Sequence, residues 1–169
     1  MGINDYHLVS QWHVAGTPEE VSDILADAEA FPQWWPEVYL QVDVIEPGDA
    51  NGVGKLLRLH TRGWLPYTLR WDLRVTESDR PAGFSVTAVG DFNGTGRWTI
   101  TPHEDGTVAR YDWRIRVDKP ILAALSFALK PLFAANHRWA MARGEEGLRR
   151  ELLRRRQDAI NAAPAGAAA

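Results

Sequence analysis

His137 is the residue whose chemistry is easiest to name. At 100° per residue from Phe133, the residues Phe133, His137, Ala140, Met141, Gly144 and Leu148 share one apolar arc, with Asn136 at its margin. Arg138, Ala142, Glu145 and Arg149 point the other way. An imidazole central on such an arc either exchanges a proton with a bound carbonyl or enol, or is a core histidine satisfied by a strand tyrosine. The inward hydroxyls of the predicted strands are Thr61, Tyr67 and Tyr111, and each suits ligand contact or a structural bond. Asn136 either orients a ligand oxygen or ties its helix to a neighbouring backbone. The sequence leaves these alternatives open.

Other chemistry finds little support. There is no Gly-x-Ser-x-Gly elbow and no Walker loop. The chain has 0 cysteines, which excludes disulfides, thiolate metal sites and cysteine nucleophiles together. His7 and His13 share a strand face but lie about 20 Å apart by strand rise, His60 sits among outward Arg58 and Arg62, and His103 falls in a turn. No metal and no cofactor is expected. A net charge of −3 implies no general affinity for nucleic acid. The run LRRELLRRR (148–156) reads as cations that complement a helix C-terminus, diluted by Glu145, Glu146 and Glu151. The apolar stretch ILAALSFALKPLFAA (121–135) contains Lys130 and Pro131 and falls short of the ~20 residues a membrane span needs. MGINDYHLVSQWHV lacks a basic region followed by an apolar run, and MGINDY lacks the hydroxyl residue of a myristoylation signal. A soluble, cytoplasmic protein is expected.

The elements that must position His137 follow from periodicity. Residues 6–14 read as a strand, and Thr17-Pro18-Glu19-Glu20 as an N-cap, a proline at the first helical position and early acids, opening a helix to about residue 28. Strands are predicted near 37–46, 54–63, 67–77, 84–92, 96–102 and 108–117, separated by PGDANGVG, GWLP, SDRPAG, FNGTG and HEDGT. Apolar Tyr67, Leu69, Trp71, Leu73 and Val75 alternate with Thr68, Arg70, Asp72 and Arg74; Ala109 to Val117 alternates likewise. This is the pattern of antiparallel strands with one wet face. A loop at 64–66 pairs Leu59 with Trp71, and one at 78–83 pairs Trp71 with Gly90. A loop at 93–95 pairs Gly90 with Trp98, and a turn at Asp105-Gly106 pairs Trp98 with Trp113. The inner face then carries Leu59, Trp71, Gly90, Trp98 and Trp113 in one row, a wall that could pack as core or flank a flat ligand. On the outer face Arg58 falls opposite Asp72, and Asp91 between Arg70 and Arg97.

A helix from 120 to 157 would run about 57 Å, against about 34 Å for a ten-residue strand. The expectation is therefore a break at Lys130-Pro131, leaving 121–129 as a cavity lid or a homodimer contact. Residues 1–157 form one domain, and 158–169 a disordered tail. FPQWWPEV (31–38) sets Trp34 and Trp35 side by side in a segment too short for a long helix, so both indoles are buried only if other elements wrap around it.

This order of elements, with TPEEVSDILADAEAFPQWWPEV, GDFNGTGRWTI, ARYDWRIRV and NHRWAMARGEEGL, resembles the START/Bet v 1-like (SRPBCC) superfamily over residues 5–155, and within it the polyketide cyclase/dehydrase group. The resemblance implies an α+β helix-grip fold: a curved seven-stranded antiparallel sheet wrapped around a long C-terminal helix, with two short helices after strand 1. It also implies an apolar cavity between sheet and helix. Its lining is expected to include Trp35, Leu59, Thr61, Trp71, Trp98, Trp113, Phe133, Asn136, Ala140 and Met141. Three functions follow from the resemblance. One is binding of an apolar or aromatic small molecule, lipids included. Another is cyclisation and dehydration in which His137 with Tyr67 or Tyr111 moves protons. The third is a chaperone-associated or membrane-adjacent accessory role.

Overall fold

Seven strands carry the period-two segments in the computed structural model, which describes residues 5–117 and 120–163, with side chains from Lys130 onward in the second segment. They are β1 (Asp5–Val14), β2 (Tyr39–Glu46), β3 (Leu56–Arg62), β4 (Thr68–Asp79), β5 (Gly83–Gly90), β6 (Phe92–His103) and β7 (Gly106–Val117). All pair antiparallel, in the order β1-β7-β6-β5-β4-β3-β2. Between β1 and β2 lie α1 (Pro18–Ala26), a 3-10 turn (Ala28–Ala30) and α2 (Phe31–Trp34); α3 (Pro120–Ala162) follows the sheet. This is the expected helix-grip architecture. Among the described residues, no helix is long and apolar enough to cross a membrane.

Local chemistry explains the short helices. The Thr17 N–H donates to Glu20 Oε2 (2.9 Å) and the Glu20 N–H to Thr17 Oγ1 (3.2 Å), a reciprocal cap that satisfies two otherwise unpaired donors. Glu20 also accepts two bonds from Arg156 of α3, and this cation holds its carboxyl down at about pKa 2. Beside it, the buried Glu151 is bound by Arg154 and Arg155, and Arg155 reaches Asp27 at 2.6 Å. The arginine run thus clamps the end of α3 to α1 through ion pairs, besides complementing a helix dipole.

Every tested strand keeps its predicted buried face, but two registers differ. Leu59 opposes Trp71 and Trp71 opposes Gly90, as expected. In the last hairpin Trp98 opposes Tyr111 and Gly96 opposes Trp113, a slide of two residues, because Glu104-Asp105 forms the turn and Gly106 (φ +144) follows it. Between β5 and β6 the slide is larger: Phe84 opposes Trp98 and Ala88 opposes Gly94. The glycines of GDFNGTG are strand residues rather than a loop at 93–95. A Cβ on Gly96 would collide with the Tyr111 hydroxyl and the Trp113 ring, so glycine there makes room for large side chains of β7. Gly90, expected opposite Trp98, instead ends β5, and its φ of +147 lets the chain turn before Asp91 while its backbone presses on Trp71. Both slides are even numbers, so no side chain changes face. On the outer face Arg58 makes two bonds to Asp72 (3.0 and 3.2 Å). Asp91 accepts from the Arg70 N–H, while Arg97 pairs with Glu77 and Ser85.

The break at Lys130-Pro131 does not occur. α3 is one helix of 43 residues with Pro131 inside it, about 64 Å long at 1.5 Å per residue. Pro131 removes one donor from the ladder without ending it, and a helix need not stop where the sheet stops. Residues 158–162, expected in the tail, are its last turn. The side chains of 121–129 and residues 164–169 lie outside the described residues, and with them the lid, the homodimer contact and the rest of the tail.

FPQWWPEV is wrapped from both sides. Phe31–Trp34 forms one helical turn, and Trp35 leaves it at φ −129, ψ 49. The two indoles stack at 5.5 Å and are both buried. Small residues of α3 receive them: a Cβ on Gly147 would collide with the Trp34 backbone, and one on Gly144 with the rings of Trp35 and Trp12. Trp35 also donates through Nε1 to the Ala140 carbonyl at 3.0 Å. The pair joins α2 to α3, with Trp12 of β1 closing the contact at 5.4 Å from Trp35.

Candidate functional site

A cavity of about 210 Å³ lies between the concave face of the sheet and α3. The sheet supplies a graded aromatic wall. Tyr111 stacks between Trp98 (4.5 Å, 25°) and Trp113 (5.4 Å, 24°), and Gly96 leaves the space for it. Phe92 bridges Trp71 (4.8 Å) and Trp113 (5.8 Å). Trp71 donates through Nε1 to Thr61 Oγ1 at 3.0 Å, so this buried hydroxyl oxygen is occupied within the wall. Leu59 lies beside them, fully buried, and α3 covers the wall with Phe133, Asn136, His137, Ala140 and Met141. Trp35 closes the α2 end.

The structure therefore gathers Trp35, Leu59, Thr61, Tyr67, Trp71, Trp98, Tyr111, Trp113, Phe133, Asn136, His137, Ala140 and Met141 around one space. Their bonds distinguish them. Asn136 Oδ1 accepts from the Trp64 N–H (2.9 Å) and the Leu65 N–H (3.3 Å), tying α3 to the β3–β4 loop. That is the backbone-anchoring alternative for this residue. His137 faces the cavity half-buried, and among the described residues its ring nitrogens have no hydrogen-bond partner. Burial, then the nearby Arg138 charge, lower its pKa to about 4. The imidazole is neutral at physiological pH, and no strand tyrosine holds it as the core reading requires.

The tyrosines are donors fixed in their protonated form. Burial, with Tyr6 close by, pushes Tyr67 up to about 12. Burial raises Tyr111 well above its ordinary value, with Tyr39 adding to it, and burial raises Tyr39 as well. Tyr39, Tyr6, Phe92 and Lys55 also line the cavity, and sequence reasoning did not assign them there. Phe92 was hidden by treating its glycine-rich neighbours as a loop. Tyr39 begins β2, whose register shifts twice against β3 and breaks the alternation that exposes inward residues. Tyr6 did alternate with Leu8 and was the detectable one. Lys55 precedes its strand, where no pattern speaks.

The remaining histidines lie elsewhere. His7 Nε2 is 3.0 Å from Asp112 on the outer face, and the rings of His13 and His103 meet edge-on at 6.1 Å across β1 and β6. Among the described residues, no group of three His, Asp or Glu side chains could hold a metal ion.

Comparison with known proteins agrees with this geometry. The sequence model of the family described as polyketide cyclase/dehydrase and lipid transport matches residues 6–153. No curated protein sequence matches significantly. Among solved structures, the Zhui aromatase/cyclase from a Streptomyces species is similar at TM-score 0.69 and 18% identity, covering 89% of this chain and 95% of that one. A Thermus thermophilus protein has TM-score 0.69 and 19% identity, covering 85% and 97%. A START superfamily protein from Mycobacterium smegmatis has TM-score 0.64 and 20% identity, covering 88% and 98%. At these identities the likeness shows the shared fold.

Proposed function

This chain belongs to the polyketide cyclase/dehydrase and lipid transport family, and from that premise we propose that it binds an apolar or aromatic small molecule between the sheet and α3. One observation carries the reading: the cavity walls are apolar and aromatic, and among the described residues the polar groups apart from Lys55 and Arg62 at its edges are neutral hydroxyls, an amide and a neutral imidazole. Such a site binds by area and shape, with a few donors fixing orientation. An engineered apolar cavity of about 150 Å³ already holds benzene, so 210 Å³ suits a ligand of one to two rings. Titration with a bicyclic aromatic should quench the emission of Trp71, Trp98 and Trp113, and native mass spectrometry of protein from its own host should show a co-purifying small molecule. Unchanged emission at saturating probe, with no adduct, would refute the reading.

A second reading is favoured by the unbonded, neutral His137 facing the same space as Tyr67. An imidazole of that kind can accept a proton from a bound carbon acid while a tyrosine hydroxyl donates to the developing enolate. This is a cyclase-like role, in keeping with the name of the Streptomyces aromatase/cyclase. His137→Ala would then abolish turnover of a poly-β-ketone substrate with the fold intact. Equal turnover by the variant would exclude it.

A further inference from the structure

We propose that the cavity contains an anion subsite at its α1 end, built on Lys55, and that the physiological ligand carries a carboxylate there. The inference rests on the cavity-binding reading above and extends it to the charge of the ligand.

Lys55 is held in place by backbone bonds rather than by chance. Its N–H donates to the Gly52 carbonyl (3.2 Å), and its carbonyl accepts from the Val75 N–H (3.0 Å). The side chain lines the cavity and is only 18% exposed. The carboxylate that meets its ammonium is Glu29 on the 3-10 turn, at 3.0 Å, and that side chain is 53% exposed. The two partners are therefore unequal. Glu29 can turn into water at little cost, because exposed ion pairs contribute little. A lysine side chain that is mostly covered loses more than an exposed carboxylate when the pair is broken. A carboxylate arriving through the cavity replaces Glu29 on Lys55 and returns Glu29 to solvent, so the charge count inside is conserved. Among the described residues, no Asp or Glu lines the cavity, so none of them repels an acid there. A single ammonium matches a monoanion, whereas a phosphate dianion would leave a buried charge uncompensated.

Among the described residues, Arg62 is the other cation on the cavity wall. It sits at the far end of β3, about 23 Å away by strand rise, is exposed, and donates through Nε to the Glu37 carbonyl at 3.3 Å. Water screens it more than Lys55.

The test compares 2-naphthoic acid with 2-naphthamide by calorimetry, since the pair differs in charge at nearly equal shape. The full chain should bind the acid at least tenfold more tightly than the amide. Lys55→Met should remove that preference and leave amide affinity within twofold. Glu29→Gln should tighten the acid several-fold and leave the amide unchanged. Binding of both probes with equal affinity overturns the anion subsite and leaves the cavity reading standing. Binding of neither overturns both. Loss of the preference in Arg62→Gln, with Lys55→Met still selective, places the acid at the other end and also overturns the proposal. Should Lys55→Met not fold, Glu29→Gln decides alone: unchanged acid affinity overturns it.

Discussion

Replacing His137 by leucine should change how stability depends on pH between 7.5 and 5.5. The unfolded chain protonates this imidazole near its ordinary value of 6.5, whereas burial, with help from Arg138, lowers the folded value to about 4. The unfolded state therefore binds more protons in that window. Stability attributable to the neutral buried ring is fully present above about pH 6.5 and is lost as pH falls toward about 4. At 1.36 kcal/mol per pKa unit, the loss is roughly 1.4 kcal/mol at pH 5.5 and roughly 3 kcal/mol by pH 4. Urea unfolding at pH 7.5 and 5.5 measures it directly. The wild type should lose about that much more than His137→Leu, which fills similar volume with nothing to titrate. The window avoids Glu20, whose contribution is lost only as pH falls from its ordinary 4.5 toward about 2. Equal pH dependence in the two proteins would show that the ring is solvated, and would remove the proton-transfer reading of His137.

Three other substitutions examine the walls of the site. Thr61→Val orphans the Trp71 Nε1–H inside the sheet, and should lower stability by about 1–3 kcal/mol, seen as a fall in Tm; an unchanged Tm means water reaches that indole. Asn136→Ala frees the Trp64 and Leu65 amides, and should cost about 1 kcal/mol while hydrogen exchange at those two amides accelerates; unchanged exchange would show that the loop holds itself. Gly144→Val drives a branched side chain into Trp35 and Trp12, and should cost about 1–3 kcal/mol and shift tryptophan emission to the red. An unaltered spectrum and Tm would mean that α2 is not locked against α3.

The faces of this protein are legible in its sequence because they depend on periods that are local. Alternation in 67–75 and 109–117 assigned Trp71, Tyr111 and Trp113 to the buried side, and the arc through Phe133, His137 and Met141 aimed α3 at them. A slide of two or six residues in the hairpins left those assignments untouched, since the side-chain period of a strand is two. Tertiary structure decided what neighbours must negotiate. Gly96 is a strand residue because Tyr111 and Trp113 on the adjacent strand need its missing Cβ, a requirement no stretch of β6 can state by itself. Pro131 stays inside α3, although length matching argued for a break. Asn136 bonds a loop more than 70 positions away, and Lys55 both lines the cavity and pairs with Glu29, 26 positions away. Local periodicity sets which way a side chain points, because it follows from backbone geometry alone. The partner it meets there depends on chain closure between distant segments, and only the assembled fold supplies that.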